Sequence, residues 1–134
     1  MNFAWPVRVY YEDTDAGGVV YYANYLKFME RARTEWLRAL GFEQAALLRD
    51  YRIKFVVRTV ALEYLQPAGL DDMLDITVEP VAVRGSLIEI AQAAQRGAET
   101  LARGKTGIVC LNTRSFKPVR IPSPIVERIT TGDA

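Results

Sequence analysis

Residues 11–41 read YEDTDAGGVVYYANYLKFMERARTEWLRALG, an acidic loop with two adjacent glycines that runs directly into a long amphipathic segment. From about position 22 onward, apolar residues recur every three or four positions, as on one face of an α-helix. These residues are Tyr22, Tyr25, Leu26, Met29, Ala32, Trp36, Leu37 and Leu40. Arg31 and Glu35 can pair on the charged outer face, and Gly41 suits the left-handed residue that ends a helix. The pattern predicts one long helix, with Met29 and Trp36 in the core, that covers a sheet.

The loop before this helix carries the unusual chemistry. It places Asp13, Asp15, Gly17 and Gly18 within six positions, immediately before the helix begins. A helix N-terminus offers unpaired backbone N–H groups and a partial positive charge, and glycines let the backbone approach a ligand closely. A carboxylate in this place therefore has two interpretations. Asp15 is either a base or nucleophile beside an anion-stabilising helix end, or the cap of the helix in an ordinary turn.

The length and composition are those of a single globular domain that spans residues 1–134. Half of the residues are apolar and a quarter are charged, and a net charge of +1 offers no strong attraction to nucleic acid or anionic lipid. The sequence shows no signal peptide and no apolar run of membrane-spanning length. The single Cys excludes an intrachain disulfide and a CxxC pair. We therefore expect a cytoplasmic protein.

The chain contains no histidine. This excludes Ser-His-Asp and Cys-His catalysis, and with them the usual His-containing zinc and iron sites. The GxxxxGK[ST] and GxGxxG motifs of nucleotide-binding loops are also missing from the sequence. We therefore expect no metal or other cofactor. If the protein catalyses hydrolysis, a carboxylate must act as the base or the nucleophile.

The remaining segments show the two-residue alternation of β-strands. Strands are expected at residues 3–11, 53–64, 74–79, 87–95 and 101–113. Pro6 favours an edge position for the first strand, and a change of apolar face across Arg58 and Thr59 predicts a bulge. Pro80 interrupts the third strand, and the Ser-Pro pair at 123–124 predicts a short C-terminal helix that Ser caps.

The order of these segments, one strand, a long helix and then about four antiparallel strands, indicates an α+β fold. A single helix cannot cover both faces of such a sheet, so apolar surface remains for a neighbouring chain. We therefore expect a homo-oligomer.

The run RVYYEDTDAGGVVYYANYLKFMERARTEWLRALG resembles the hotdog-fold acyl-CoA thioesterases, in particular the Tol–Pal-associated YbgC type and the related 4-hydroxybenzoyl-CoA thioesterases. The shared features are an aromatic-x-DTDxxGVVY loop, an ANYLxxxExAR helix and a later FKPVRIP segment, so the likeness covers nearly the whole chain. The resemblance implies a hotdog fold, an antiparallel sheet of about five strands wrapped around one long helix. It further implies dimers or tetramers with sites at the dimer interface.

By motif position, the resemblance implies that Asp15 is the catalytic carboxylate. It also implies that the backbone from Gly18 through Val19 to Tyr22 polarises the thioester carbonyl, with Gly17 beside it in the substrate-binding loop. The YbgC type usually has His where this chain has Tyr22, whereas the 4-hydroxybenzoyl-CoA branch has Tyr. The Tyr22 side chain therefore either donates a hydrogen bond in catalysis or packs against the acyl group.

The expected function is hydrolysis of a small acyl-CoA, short-chain or aromatic, with acyl carrier protein as a second candidate donor of the acyl group. Arg58 and Thr59 are candidates to contact CoA phosphates across the interface, and Glu30 on the helix is a second candidate carboxylate. The alternative is a non-catalytic hotdog module that binds acyl-CoA, acyl carrier protein or another protein. A dehydratase is disfavoured because that chemistry in hotdog proteins typically relies on His.

Overall fold

The protein folds into a five-stranded antiparallel sheet with one long helix packed against it, as a computed structural model describes for residues 3–132. The strands are β1 (Phe3–Arg8), β2 (Ile53–Tyr64), β3 (Met73–Arg84), β4 (Leu87–Arg96) and β5 (Glu99–Asn112). The helices are α1 (Asn24–Ala39), α2 (Gln44–Ala46) and α3 (Ser123–Thr131). Within the described residues, none of these helices is long and apolar enough to cross a membrane. The predicted α+β architecture is confirmed.

The long helix α1 begins at Asn24, two residues later than the apolar spacing predicted. It ends before Gly41, whose φ of 99° is the left-handed conformation predicted for this glycine. Met29 and Trp36 retain only 1% and 3% of their exposure, so their prediction as core residues is confirmed. The helix therefore buries a continuous apolar face against the sheet, and its N-terminus follows directly from the acidic loop.

Two details of α1 differ from the prediction. Leu26 is 42% exposed because it lies about a quarter-turn away from the centre of the buried face, while Phe28, left out of the predicted stripe, is fully buried. The predicted pair of Arg31 and Glu35 is wrong. Glu35 accepts a hydrogen bond from Arg38 at 2.7 Å, and the Arg31 guanidinium lies 6.0 Å from the centre of the Phe28 ring.

The inner face of the sheet supplies the other half of the core. Leu74, Ile76 and Val78 alternate along β3 and are each at most 1% exposed, as the two-residue pattern predicted. Ile88 and Ile90 on β4 continue the same layer and are fully buried. Because the strands lie in the order β1-β3-β4-β5-β2, β3 and β4 occupy the interior of the sheet, and β1 and β2 form its edges.

The edge strands carry the two irregularities that the sequence predicted. Pro6 lies in β1, where the missing N–H costs no internal ladder bond. In β2 the pairing register shifts between Val57 and Thr59, which confirms the bulge. Gly104 on β5 faces this strand so closely that a Cβ atom there would lie 2.0 Å from the Ala61 carbonyl oxygen. Only glycine fits at that position without moving backbone.

Three boundaries were predicted wrongly. The first strand ends at Arg8, and the segment Tyr11–Asp13 forms a 3₁₀ turn instead of its last residues. Pro80 does not end the third strand, which continues to Arg84 after a shift of pairing register. Helix α3 includes Ser123 as its first residue, and Ser123 therefore does not act as the predicted cap.

The edge strand β2 leaves apolar side chains uncovered on the side of the sheet that faces α1. Val57, Val60 and Tyr64 are 50%, 45% and 46% exposed. An edge strand with an apolar row is a surface on which a second chain can pair. The predicted homo-oligomer agrees with this surface and stays a prediction.

Candidate active site

A tight hairpin presents Asp15 at the protein surface. The Asp15 N–H donates to the Val19 carbonyl at 2.9 Å, and the Gly18 N–H donates to the Asp15 carbonyl at 3.0 Å. A bridge between Thr14 and Val20 closes the hairpin. Gly18 has a φ of 80°, a conformation that residues with a Cβ atom rarely adopt, so the glycine is what lets the chain reverse here.

The Asp15 carboxylate is exposed and held by a single backbone donor. Its Oδ1 accepts a hydrogen bond from the Gly17 N–H at 2.8 Å, and a Cβ atom on Gly17 would lie 3.2 Å from the same oxygen. Within residues 3–132 its Oδ2 has no hydrogen-bond partner, and no side chain caps α1. The interpretation of Asp15 as a helix cap is therefore wrong. One carboxylate oxygen is oriented, and the other faces solvent.

The neighbouring Asp13 has the opposite environment. It is 5% exposed, and its two carboxylate oxygens accept hydrogen bonds from the Asn24 side-chain amide at 2.9 Å and from the Tyr10 N–H at 2.8 Å. Asn24 is the first residue of α1, so this carboxylate ties the loop to the start of the helix. Both oxygens are engaged, so of these two aspartates Asp15 is the one that can reach a substrate.

The backbone that leads into α1 still has unused donors. Part of it is engaged within the protein: the N–H groups of Gly18, Val20 and Tyr21 donate to the carbonyls of Asp15, Ala68 and Asp13. In contrast, the N–H groups of Val19, Tyr22 and Ala23 donate to no acceptor within the described part of the chain. Those of Tyr22 and Ala23 stand at the positive end of the 16-residue helix, where a developing negative charge is stabilised.

Four tyrosines surround this helix start. The Tyr22 ring centre lies 4.8 Å from that of Tyr21 and 6.2 Å from that of Tyr64, and Tyr64 lies 5.5 Å from Tyr25. Tyr25 is buried, whereas Tyr22 is 59% exposed because it precedes the helix instead of forming part of its buried stripe as predicted. The Tyr22 ring therefore lies on the surface beside the backbone donors.

Tyr64 is a residue of this cluster that sequence reasoning missed. Its hydroxyl donates a hydrogen bond to the Tyr22 carbonyl at 3.1 Å across 42 residues of sequence. A phenol with the ordinary pKa of 10.0 is already protonated at neutral pH, and burial raises the pKa of Tyr64 and of Tyr25 further. The only sequence signal was the alternation of Val60, Leu62 and Tyr64, which assigns Tyr64 to the inner face of the sheet but not to the site.

A second loop holds the hairpin in place. The Ala68 carbonyl accepts the Val20 N–H at 2.8 Å, and the next residue, Gly69, donates its N–H to the Asp72 carboxylate at 2.8 Å. Arg96 on β4 donates to the same carboxylate at 2.7 Å. The Gly69 N–H and then the Arg96 guanidinium hold the pKa of Asp72 below its usual range. This anchored loop was also missed, because its partners are far apart in sequence.

Arg58 and Thr59 are not brought to the hairpin by the fold of one chain. Thr59 precedes Tyr64 by five residues on β2, which corresponds to about 16 Å along an extended strand. The two residues line a depression with Glu89 and Lys105 at the edge of the sheet. Their predicted contact with CoA across an interface stays a prediction.

Cys110 and Glu30 are two further residues that could in principle act as nucleophile or base. Cys110 is fully buried in β5, and burial raises the pKa of its thiol to about 11, so it is not an accessible nucleophile. Glu30 lies on the exposed side of α1 beside a groove that α1 and β2 form. In the described residues there is no group of three acidic or Cys side chains that could hold a metal ion.

Comparison with known proteins supplies the context for this geometry. The family profile of the thioesterase-like superfamily matches residues 9–129. The chain is 49% identical over 125 residues to the acyl-CoA thioester hydrolase YbgC of Escherichia coli O6:H1, covering 92% of each protein. It is 46% identical over 124 residues to the acyl-CoA thioesterase YbgC of Haemophilus influenzae, covering 92% of this chain and 91% of that protein. The crystal structure of a probable thioesterase from Bartonella henselae is similar with a TM-score of 0.87 at 34% identity, covering 91% of this chain and all of that chain.

Proposed function

The chain belongs to the thioesterase-like superfamily and is an acyl-CoA thioester hydrolase with the hotdog fold, and on this premise we propose that Asp15 carries the reaction. The observation that supports this role is the exposed Asp15 carboxylate, which the Gly17 N–H orients at 2.8 Å. It lies in the hairpin that leads directly to α1, where the N–H groups of Tyr22 and Ala23 have no acceptor within residues 3–132. The family and the fold predicted from the sequence are confirmed.

Hydrolysis of a thioester through Asp15 can follow two routes. As a nucleophile, a carboxylate oxygen attacks the thioester carbon, the C–S bond breaks, and the thiolate of CoA takes a proton from water. Water then hydrolyses the mixed anhydride and restores the carboxylate. As a general base, Asp15 takes a proton from water while that water attacks the carbon, and the proton passes to the departing thiolate. The exposed oxygen of Asp15 permits either route.

Both routes place negative charge on the thioester oxygen. A backbone N–H aimed at that oxygen contributes roughly 3–4 kcal/mol of transition-state stabilisation when its geometry is good. In this proposal the N–H groups of Tyr22 and Ala23, at the start of α1, supply such donors. The exposed Tyr22 ring packs against the acyl group. The backbone of Gly17, Gly18 and Val19 lines the site, and because the two glycines have no side chain, the substrate can approach the backbone closely there.

Cys110 and Asp13 are less suitable as nucleophile or base. The buried Cys110 thiol has a pKa raised to about 11, and both oxygens of the Asp13 carboxylate are bonded within the protein. The sequence offers no His. Asp15 therefore acts alone, without a side-chain base beside it.

The proposal includes a homo-oligomer, in which Arg58 and Thr59 of a neighbouring chain contact the CoA part of a substrate bound at Asp15. The donor is acyl-CoA with a short or aromatic acyl group, and acyl carrier protein is the second candidate donor. The cytoplasmic location expected from the sequence stays a prediction. Light scattering tests the assembly, since full activity from a single 15.1 kDa chain would contradict a site shared between copies.

A thiol-release assay on short-chain, long-chain and aromatic acyl-CoA substrates, and on acylated carrier protein, tests the function. Asp15→Asn should remain folded and lose at least about a hundredfold in kcat, as expected when a base or nucleophile is removed. Asp50→Asn, another exposed aspartate far from the hairpin, is the matched control and should retain wild-type activity. A folded and fully active Asp15→Asn would refute the assignment and direct attention to Glu30. Binding of acyl-CoA without turnover by the wild type would support the non-catalytic alternative.

A single turnover in ¹⁸O-labelled water tests the nucleophilic route. If Asp15 is the nucleophile and water attacks the Asp15 carbonyl carbon of the mixed anhydride, the first acid released carries an unlabelled oxygen from Asp15 and the label enters the protein. The label enters only the acid if Asp15 is a general base, or if water attacks the acyl carbon of the anhydride. Mass spectrometry of the peptide that contains Asp15 therefore establishes the nucleophilic route when it finds the label there.

A further inference from the structure

The hydrogen bond from Tyr64 to the Tyr22 carbonyl joins two elements that lie 42 residues apart in sequence. Tyr64 is the last residue of the edge strand β2, and Tyr22 lies in the turn before α1. The bond of 3.1 Å is made by an exposed side chain, so burial of a polar group does not require it. It does connect the sheet to the peptide at which α1 begins.

The same peptide carries the Ala23 N–H, one of the two backbone donors at the start of α1 that are free within the described residues. The Tyr22 carbonyl and the Ala23 N–H belong to the same planar trans peptide and point in opposite directions. Fixing the carbonyl on one side therefore fixes the N–H on the other, and donation to the carbonyl also increases the dipole of the peptide. The helix alone holds this carbonyl weakly, because the backbone bond from the Tyr25 N–H is 3.4 Å long.

We propose that Tyr64 is a positioning residue for thioester hydrolysis, which acts by holding the Tyr22–Ala23 peptide so that its N–H faces the thioester oxygen. This inference rests on the proposed function. Tyr64 does not touch the reacting atoms. Its effect passes through one peptide, which carries a free donor at the positive end of α1.

The surroundings of Tyr64 suit this task. Its ring packs at 5.5 Å against the buried Tyr25 ring and at 6.2 Å against the Tyr22 ring, so contacts on two sides limit where the hydroxyl can point. The Ala23 N–H has no competing acceptor within residues 3–132. A phenol with a raised pKa also stays a donor throughout the pH range in which thioester hydrolysis is measured.

Tyr64→Phe tests the proposal, because it removes the hydroxyl and keeps the ring contacts. We expect kcat to fall about fivefold and KM to stay within about twofold, since an orienting group contributes less than a direct donor and acts on charge that develops only in the transition state. Tyr51→Phe is the control, because Tyr51 is similarly exposed and lies away from the cluster, and it should match the wild type. Unchanged kcat in Tyr64→Phe would overturn the proposal, as would a raised KM with unchanged kcat, which indicates a substrate contact.

A second readout does not depend on turnover. The amide ¹H and ¹⁵N shifts of Ala23 should change in Tyr64→Phe and stay as in the wild type in Tyr51→Phe, and an unchanged Ala23 signal would overturn the proposal. The experiments distinguish a failure of the proposed function from a failure of the role of Tyr64. An active Asp15→Asn refutes the proposed function, whereas a loss of activity in Asp15→Asn together with wild-type kinetics in Tyr64→Phe refutes only the role of Tyr64.

Discussion

The contrast between Asp13 and Asp15 leads to a prediction in which stability and activity separate. Asp13→Ala should destabilise the fold strongly, whereas Asp15→Ala should leave the fold nearly unchanged and abolish most thioester hydrolysis. The two residues are chemically identical and two positions apart, so the difference comes only from their surroundings. Asp13 is 5% exposed with two internal partners, and Asp15 is exposed with one.

The magnitudes follow from the hydrogen bonds that each substitution breaks. Asp13→Ala leaves the Tyr10 N–H and the nearly buried Asn24 amide without acceptors, at a cost of about 1–3 kcal/mol for each group. The sum, about 2–6 kcal/mol, corresponds to a fall in Tm of roughly 7–20 °C for a domain of this size. Asp15→Ala frees only the exposed Gly17 N–H, which water can bond, so its cost stays below about 1 kcal/mol.

Chemical denaturation followed by circular dichroism measures both values, and the thiol-release assay is run on the same samples. Asn24→Ala supplies an intermediate case if Asp13→Ala fails to fold. It removes one of the two partners and should cost about half as much. Equal stability losses for Asp13→Ala and Asp15→Ala, or a stable Asp13→Ala, would refute the reasoning that assigns Asp13 to structure and Asp15 to chemistry.

Three further predictions concern the scaffold. Trp36→Ala should lower the free energy of unfolding by about 3–5 kcal/mol in urea denaturation, because the indole is 3% exposed, and a loss below 1 kcal/mol would be inconsistent with that burial. The Gly69 N–H and the Arg96 guanidinium lower the pKa of Asp72 in the folded state. The ionised carboxylate therefore stabilises the fold at pH values above 3.8, its ordinary pKa, and this stabilisation is lost as the pH falls through the lowered pKa of the folded state. When the free energy of unfolding is measured against pH, Asp72→Asn should therefore lose less stability at acid pH than the wild type does. An equal loss in both proteins would contradict this prediction. Gly104→Ala should destabilise the protein in the same denaturation assay, because the new Cβ would lie 2.0 Å from the Ala61 carbonyl oxygen. Gly85→Ala is the comparison: Gly85 lies in an open turn, so this variant should show only the cost of placing alanine at a positive φ.

Local periodicity accounts for the parts of the fold that were predicted correctly. The three- and four-residue spacing along α1 and the two-residue spacing along β3 each report which side of an element faces the core. The bulge in β2 was visible for the same reason, since the two-residue alternation of apolar residues is broken between Val57 and Val60, and the register shift between Val57 and Thr59 absorbs the extra residue. The errors lie at element ends, where Tyr11 and Pro80 are governed by hydrogen bonds and register shifts that no single segment contains.

Some features of the candidate site were likewise predictable from the sequence, and others depend on tertiary contacts. The sequence by itself predicted the acidic loop and the helix that follows it, because these features lie within one continuous stretch, and the choice of Asp15 as the prime candidate came from the resemblance of that stretch to the thioesterase motif. The tertiary structure alone decided that Asp13 is buried and Asp15 exposed, and that Tyr64 meets the Tyr22 carbonyl across 42 residues. It also decided that Asp72 and Arg96 anchor the supporting loop. The physical reason is that periodicity reports the side on which a residue lies but not its partner, and partners are set by the register and packing of distant strands.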